Sequence, residues 1–340
     1  MKVHKVSNIW LRDKFFDLPF ILLFSSIAII TGYVVSQHPA LFPTIMIINL
    51  WLLGYHHVIS TYTRIAFSAQ SIKEFRFLVF QLPIIVLVGV TILLYFGGEW
   101  AVATTYLYWQ WFHYTRQSYG ISRYYMAKSG QVTKPWHDVN TYALYLLPLT
   151  GILYRSYQAP EKFLYLDVAT LPVTYEVVMF FLGLSILAIL LQIFTWIKQY
   201  KNQTLSYAYV LYVLSHHTVF GIAYLLIENI NHGWLVLNIW HNAQYIGFVW
   251  MYNNNKFKTG INPQQKFIST ISQNGKFLTY ISICLAVTFS FYAILKLTQI
   301  TIQPHTILPM AVLIYMSINF HHYVVDSIIW KRRKAQSGSV

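Results

Sequence analysis

Charged residues are scarce in this chain. Only 10% of its 340 residues are Asp, Glu, Lys or Arg, whereas an ordinary soluble domain carries about 25%. Hydrophobic residues make up 56% of the chain. A surface that faces water cannot be built from so few charges, so the composition excludes an ordinary soluble protein. It favours lipid as the solvent for most of the surface.

Cysteine and acidic residues are also in short supply. Cys284 is the single cysteine, so no intramolecular disulfide can form and thiolates cannot supply a metal's ligand set. Only ten residues are acidic, and a carboxylate-bridged di-iron bundle needs several of them on its inner faces. The chain lacks a glycine-rich phosphate loop, G-x-S-x-G, C-x-x-C and H-E-x-x-H, so these common catalytic and nucleotide-binding signatures are excluded.

What the chain does have is long apolar blocks. They run for about 18 to 25 residues, the length that a helix needs to cross the hydrocarbon core, whereas membrane β-strands alternate in segments of about ten. The sequence therefore predicts an all-α polytopic integral membrane bundle, with about ten spans in a single membrane domain over residues 1–340. The predicted spans are 18–36, 40–61, 76–97, 100–124, 141–158, 174–197, 205–227, 233–253, 277–299 and 305–328.

Lysine and arginine are distributed unevenly between the predicted loops. Of the 24 such residues, 20 fall on one side of the membrane, including the basic segments 2–14 and 331–334. The other side holds only Arg155, Lys162 and Lys296. Because positive residues concentrate in cytoplasmic loops, we predict that both termini are cytoplasmic, in a membrane of the bacterial inner (plasma) membrane type. These loops account for the net charge of +14, and we expect no nucleic-acid partner.

Histidines inside the predicted spans are the main indication of function. An ionisable side chain in a membrane span is costly unless it is paired or coordinated, so each is a candidate by default. For one histidine alone, a hydrogen bond in a polar interior is the simpler interpretation. Here five spans contribute histidines at similar depth, in the cytoplasmic half, which is typical of a metal site between helices. The eight candidates are His56, His57, His113, His216, His217, His241, His321 and His322.

Six of these candidates form three adjacent pairs. Neighbouring residues of a helix point about 100° apart, so one member of each pair is expected to face a given metal. We favour His57, His217 and His322 from the pairs, together with the single residues His113 and His241. One turn after His322 comes Asp326, which we predict either to bind the metal or to orient a histidine.

An imidazole-rich ligand set suits iron, copper or zinc. We prefer iron, because the site's surroundings are apolar and aromatic and no soluble catalytic domain is present. In general style the pattern resembles integral membrane enzymes that hold non-haem iron with histidines. The H-x(3,4)-H and H-x(2,3)-H-H boxes of the membrane desaturases and hydroxylases are absent, so no family is assigned.

The predicted function is a metal-dependent membrane oxidoreductase or oxygenase. Its expected partners are membrane lipids, a lipid-like or isoprenoid substrate that enters from the bilayer, and an electron donor. Arg116, which lies inside a span, is the candidate anchor for a polar group of the substrate. Tyr114 and Tyr245 are candidate proton relays.

Two other functions fit the same histidines. A transporter or proton-coupled permease would use them as proton relays. A membrane electron carrier would clamp a haem between two of them on different helices. Metal analysis and a visible spectrum of the purified protein distinguish these alternatives from a non-haem metal enzyme.

Overall fold

The computed structural model describes residues 10–130, 134 and 137–330. The basic positions Lys2 and Lys5 and the run 331–334, on which the predicted orientation partly depends, lie outside these residues. The structure is 83% helical, which confirms the all-α fold class. In the described part of the chain, the only strands are β1 (Lys162–Phe163) and β2 (Leu166–Asp167), which pair antiparallel.

Helices make up nearly all of the remaining regular structure. In chain order they are α1 (Lys14–Gln37), α2 (Pro39–Ile65), α3 (Ala69–Glu74), α4 (Phe77–Lys128), α5 (Val139–Tyr157), α6 (Tyr175–Lys201), α7 (Tyr207–Leu226), α8 (Ile230–Lys256), α9 (Lys266–Ile271), α10 (Phe277–His305) and α11 (Met310–Ile329). Some of the long helices contain a π-helical turn, and the turn in α2 is Leu50–Gly54.

Six helices among the described residues are long and apolar enough to cross a membrane: α1, α2, α4, α6, α7 and α10. Their outer faces carry exposed apolar side chains such as Ile84, Phe194 and Leu297. A helix with such a face is stable in lipid, where its backbone hydrogen bonds are satisfied internally. These six helices indicate a helical membrane protein, while the count of ten spans and the orientation stay predictions.

Helix α8 has a different character from these six. Its residues 232–250 are buried except for the half-buried Ala243. This part of the helix carries Asn238, His241, Asn242 and Gln244, polar side chains that would be costly against lipid. Burial allows them to find hydrogen-bond partners inside the protein. This explains why the predicted span 233–253 is helical but less apolar than the six helices that could cross a membrane.

Helix α4 is interrupted at Gly98. There the backbone has φ 75° and ψ −175°, outside the helical region. Glycine reaches positive φ without the steric cost that a Cβ imposes. The interruption lies between the predicted spans 76–97 and 100–124.

The chain divides into two compact units. The first contains residues 1–49 and 103–244, and the second contains residues 50–102 and 245–340. In the first unit, α5 packs against α6 and α7. In the second, the later part of α2 packs against α10 and α11. The single membrane domain over residues 1–340 stays a prediction.

Candidate metal centre

In the second unit, a histidine of α2 faces a histidine of α11. The Nε2 atoms of His57 and His322 are 3.0 Å apart, and the two rings are nearly perpendicular, at 85°. Both side chains are buried. The π-helical turn Leu50–Gly54 directly precedes this part of α2, and such turns are frequent at functional sites.

The backbone of that turn determines which nitrogen of His57 carries the proton. Nδ1 of His57 lies 2.5 Å from the carbonyl oxygen of Gly54. A carbonyl oxygen can only accept a hydrogen bond, so Nδ1 must donate it. In a neutral imidazole the other nitrogen then presents a lone pair. Nε2 of His57 is therefore the nitrogen that could bind a metal ion.

The first unit contributes a second buried pair of histidines. The ring centroids of His113, on α4, and His241, on α8, are 4.9 Å apart. The ring of Tyr114 is 4.2 Å from the ring of His241. Nε2 of Gln117 donates to the backbone carbonyl of His241 at 3.1 Å, so α4 and α8 are tied together at the level of the pair.

A buried amide network surrounds Tyr114. Its hydroxyl oxygen accepts from Nε2 of Gln110 at 2.5 Å and from Nδ2 of Asn238 at 2.6 Å. Asn238 Oδ1 in turn accepts from Nδ2 of Asn49 at 2.6 Å and of Asn242 at 2.8 Å. These bonds satisfy polar groups that would otherwise be costly to bury. They also hold Tyr114, a predicted proton relay, beside His241.

Four buried histidines lie close together. His57, His113, His241 and His322 each offer one ring nitrogen, and these nitrogens all lie within 4.8 Å of one another. At metal–nitrogen distances of about 2.1 Å, two ligands of one ion are at most about 4.2 Å apart. A group of nitrogens that all lie within 4.8 Å of one another is close to that limit. The four histidines could hold a metal ion, and the donor set suits iron, copper or zinc.

The other predicted ligands of the second unit have different partners. Nδ1 of His56 contacts the carbonyl oxygen of Leu52 at 3.3 Å. Nε2 of His321 donates to the carbonyl oxygen of Leu78 at 2.8 Å, and its Nδ1 accepts from the Tyr62 hydroxyl at 3.1 Å. Both ring nitrogens of His321 are thus engaged in structural hydrogen bonds. Neither His56 nor His321 belongs to the group of four.

The same holds for the remaining pair, in the first unit. Nε2 of His216 donates to the Leu144 carbonyl at 3.1 Å, and its Nδ1 accepts from the Ser118 hydroxyl at 2.8 Å. Nε2 of His217 lies 2.8 Å from Oε1 of Gln192. The structure therefore does not bring His217, which we favoured as a ligand, into the group of four.

Asp326 and Tyr245 lie beside the second-unit pair. Oδ2 of Asp326 is 3.5 Å from Nε2 of His322. The Tyr245 hydroxyl donates to Oδ1 of Asp326 at 2.6 Å and lies 2.8 Å from Oγ1 of Thr61. The carboxylate is thus next to a candidate ligand, on the side of its Nε2 atom, but outside the four-histidine group.

The predicted substrate anchor has a different environment. Arg116 is exposed, whereas the four histidines are buried. Its Nη1 donates to the Tyr145 hydroxyl at 3.3 Å.

The sequence analysis did not identify Asn49 and Gln110, which belong to the amide network around Tyr114. The signal that could have identified them is an amide side chain inside an apolar span.

No protein-family model, curated protein or solved structure matches this chain. Its function is therefore argued from the chemistry of the four histidines and their neighbours.

Proposed function

We propose that the chain is a membrane-bound metal-dependent oxidoreductase. His57, His113, His241 and His322 bind one iron ion, and the enzyme uses oxygen to oxidise a lipid-like or isoprenoid substrate taken from the bilayer. The observation that carries the proposal is the group of four buried ring nitrogens within 4.8 Å of one another.

The choice of metal follows from the ligand set and the medium. Four neutral imidazoles suit iron, copper or zinc. Zinc supports hydrolysis, but the apolar tails of a bilayer offer C–H and C=C bonds rather than hydrolysable ones. Iron is the metal of the three that best joins histidine ligation to oxygen chemistry on such bonds. His57, His113, His241 and His322 would hold the ion, and iron held there would supply oxygen chemistry.

The charges near the group are consistent with a bound cation. Asp326, 3.5 Å from Nε2 of His322, is a buried carboxylate beside a candidate ligand. A cation bound by neutral imidazoles in a membrane is costly unless anions lie close. With a cation bound beside it, Asp326 would supply one negative charge toward this requirement.

The separation of the second-unit pair argues against haem. Two histidines that clamp a haem lie on opposite faces of a flat macrocycle, with their nitrogens about 4.2 Å apart. The Nε2 atoms of His57 and His322 are 3.0 Å apart, which is too close for that arrangement. The same distance suits two neighbouring ligands of a non-haem ion.

Metal analysis of purified protein tests the proposal. We expect about one iron per chain and no Soret band in the wild type. In the double variant His113→Ala, His241→Ala we expect less than a tenth of that iron. The matched control is His216→Ala, His217→Ala, which removes two histidines of the same unit and should keep the metal. A metal-free wild type, or unchanged iron in the first double variant, contradicts the proposal.

The reaction class is tested by oxygen uptake. Iron-loaded protein in nanodiscs should consume oxygen when an isoprenoid is supplied, and the His113→Ala, His241→Ala variant should not. Uptake without added reductant identifies a dioxygenase, whereas dependence on a donor identifies a monooxygenase or desaturase. Metal-free protein that transports a solute into liposomes would instead favour a permease.

A further inference from the structure

We propose that Thr61 is a positioning residue of the metal centre. Its hydroxyl, acting with Tyr245 and Asp326, holds His322 in the tautomer that presents Nε2 as a ligand. This inference rests on the proposed function, because it assigns a role toward the metal of that same site.

Thr61 stands at the start of a chain of hydrogen bonds within the second unit. Its Oγ1 lies 2.9 Å from Nδ1 of His322 and 2.8 Å from the Tyr245 hydroxyl. That hydroxyl is 2.6 Å from Oδ1 of Asp326. All four side chains are buried. The chain therefore runs from a candidate ligand to a buried carboxylate.

The direction of the chain follows from the atom that a metal would occupy. An ion bound at Nε2 of His322 leaves the ring proton on Nδ1. Nδ1–H then donates to the Thr61 oxygen, the Thr61 hydroxyl donates to the Tyr245 oxygen, and the Tyr245 hydroxyl donates to Asp326. Each hydroxyl donates one proton and accepts one, and the Asp326 carboxylate accepts at the end of the chain.

The same conclusion holds independently for the partner histidine. Nδ1 of His57 donates to the Gly54 carbonyl, so its Nε2 also presents a lone pair. The two Nε2 atoms face each other at 3.0 Å. A metal ion bound by both residues would take both lone pairs. Thr61 and Gly54 thus each accept a hydrogen bond from Nδ1 of a candidate ligand. Thr61 accepts through its hydroxyl oxygen, and Gly54 accepts through its carbonyl oxygen.

Threonine suits this position because its side chain is stiff. A β-branched residue in a helix has few χ1 rotamers. Oγ1 of Thr61 lies 3.5 Å from the carbonyl oxygen of His57, four residues earlier. One helix therefore carries a ligand and, one turn later, the group that orients another ligand.

A Co²⁺ titration of the full-length protein in detergent tests the role. Thr61→Val keeps the shape and removes the hydroxyl. We expect the Kd for Co²⁺ to rise about 10- to 100-fold, the range found when a partner that orients a ligand is lost. The Co²⁺ absorption bands should shift as well. Thr61→Ser, which restores the hydroxyl, should bind within about threefold of the wild type.

Thr63→Val is the matched control. Thr63 is a buried threonine on the same helix, and its hydroxyl bonds Tyr280 at 3.0 Å and the Ser60 carbonyl at 2.7 Å. Its loss removes buried hydrogen bonds without touching His322. Its Kd and absorption bands should match the wild type.

The outcomes separate the two proposals. If the wild type binds Co²⁺ and Thr61→Val matches it in Kd and spectrum, the role of Thr61 is refuted while the metal site stands. A wild type that binds neither Co²⁺ nor Fe²⁺ overturns both. If Thr61→Val does not fold, Tyr245→Phe takes its place, because it breaks the same chain one step further on. Unchanged affinity in that variant refutes the inference.

Discussion

At the residue scale, two histidines that are neighbours in the sequence can have different interaction partners. His57 and His322 face each other through their Nε2 atoms, whereas His321 is bonded to a backbone carbonyl and a tyrosine hydroxyl. Neighbouring helical residues point about 100° apart, so a single position separates a candidate ligand from a structural histidine. The pairs His56–His57 and His321–His322 therefore each contain their own control.

We predict opposite effects for the two members of each of these two pairs. His57→Ala and His322→Ala should each reduce bound metal at least tenfold, because outer interactions cannot replace a lost ligand. His56→Ala and His321→Ala should retain it, since neither side chain is in the group of four. The test is the amount of metal per chain in each variant, measured by mass spectrometry after gel filtration. Equal loss from both members of a pair would contradict the assignment.

At the element scale, one buried arginine donates hydrogen bonds to the backbone carbonyls at the end of a helix. Arg155, on α5, is 1% exposed. Its guanidinium donates to the carbonyl oxygens of Ala223 at 2.8 Å and Glu228 at 2.6 Å, and also to that of Ile227. The last carbonyls of a helix have no partner within the helix. Arg155 therefore supplies hydrogen-bond donors to the carbonyl oxygens at the end of α7 and just beyond it.

Arg155→Lys should destabilise the protein by about 2–4 kcal/mol, because a single ammonium cannot match the planar fork and leaves buried carbonyls unpaired. The measurement is thermal unfolding in detergent, followed by circular dichroism. Arg116→Lys is the control, since Arg116 is exposed and makes one long hydrogen bond, of 3.3 Å. Comparable losses of stability in the two variants would show that the hydrogen bonds of Arg155 to the end of α7 do not stabilise the protein.

The start of α8 packs tightly against the same helix end. A Cβ added at Gly233 would lie 2.1 Å from the carbonyl oxygen of Ala223 and 3.2 Å from Nη2 of Arg155. Because backbone must then move, Gly233→Ala should cost at least about 2 kcal/mol. Gly120→Ala, which meets nothing within 4 Å, should stabilise α4 by about 0.5–1 kcal/mol. The same unfolding measurement applies, and a stable Gly233→Ala protein would disprove the close approach.

At the scale of the whole molecule, the charges of the loops predict an orientation. Lys258 falls on the side with 20 lysines and arginines, and Lys162, in β1, falls on the side with three. The positive-inside rule places the first side in the cytoplasm. The alternation depends on ten predicted spans, so one extra or missing crossing would reverse part of it.

Cysteine labelling tests this orientation. In a Cys284→Ala background, Lys258→Cys should react with an impermeant maleimide only after the cytoplasmic side is opened. Lys162→Cys, at a side chain that is 65% exposed, should react in intact cells. Cys284 itself is buried and should stay unlabelled in the wild type. The reverse pattern for the two lysine positions would show that the orientation is wrong.

Composition alone was enough to predict an all-α membrane protein. Apolar blocks that are long enough to cross a bilayer indicate that lipid surrounds most of the protein surface, even before the fold is known. The same reasoning identified histidines within the spans as functional candidates, because an ionisable group in hydrocarbon needs a partner or a metal. His57, His113, His241 and His322 were all among them.

Only the tertiary structure decided which of the eight histidines come together. Spacing along one helix gives a direction for each side chain but does not tell which neighbouring helix it meets. His217 was favoured on that basis, yet it is bonded to Gln192 on α6. The tautomers of His57 and His322 were likewise beyond sequence reasoning. They depend on the Gly54 carbonyl and the Thr61 hydroxyl, which act through distances of 2.5 and 2.9 Å set by packing.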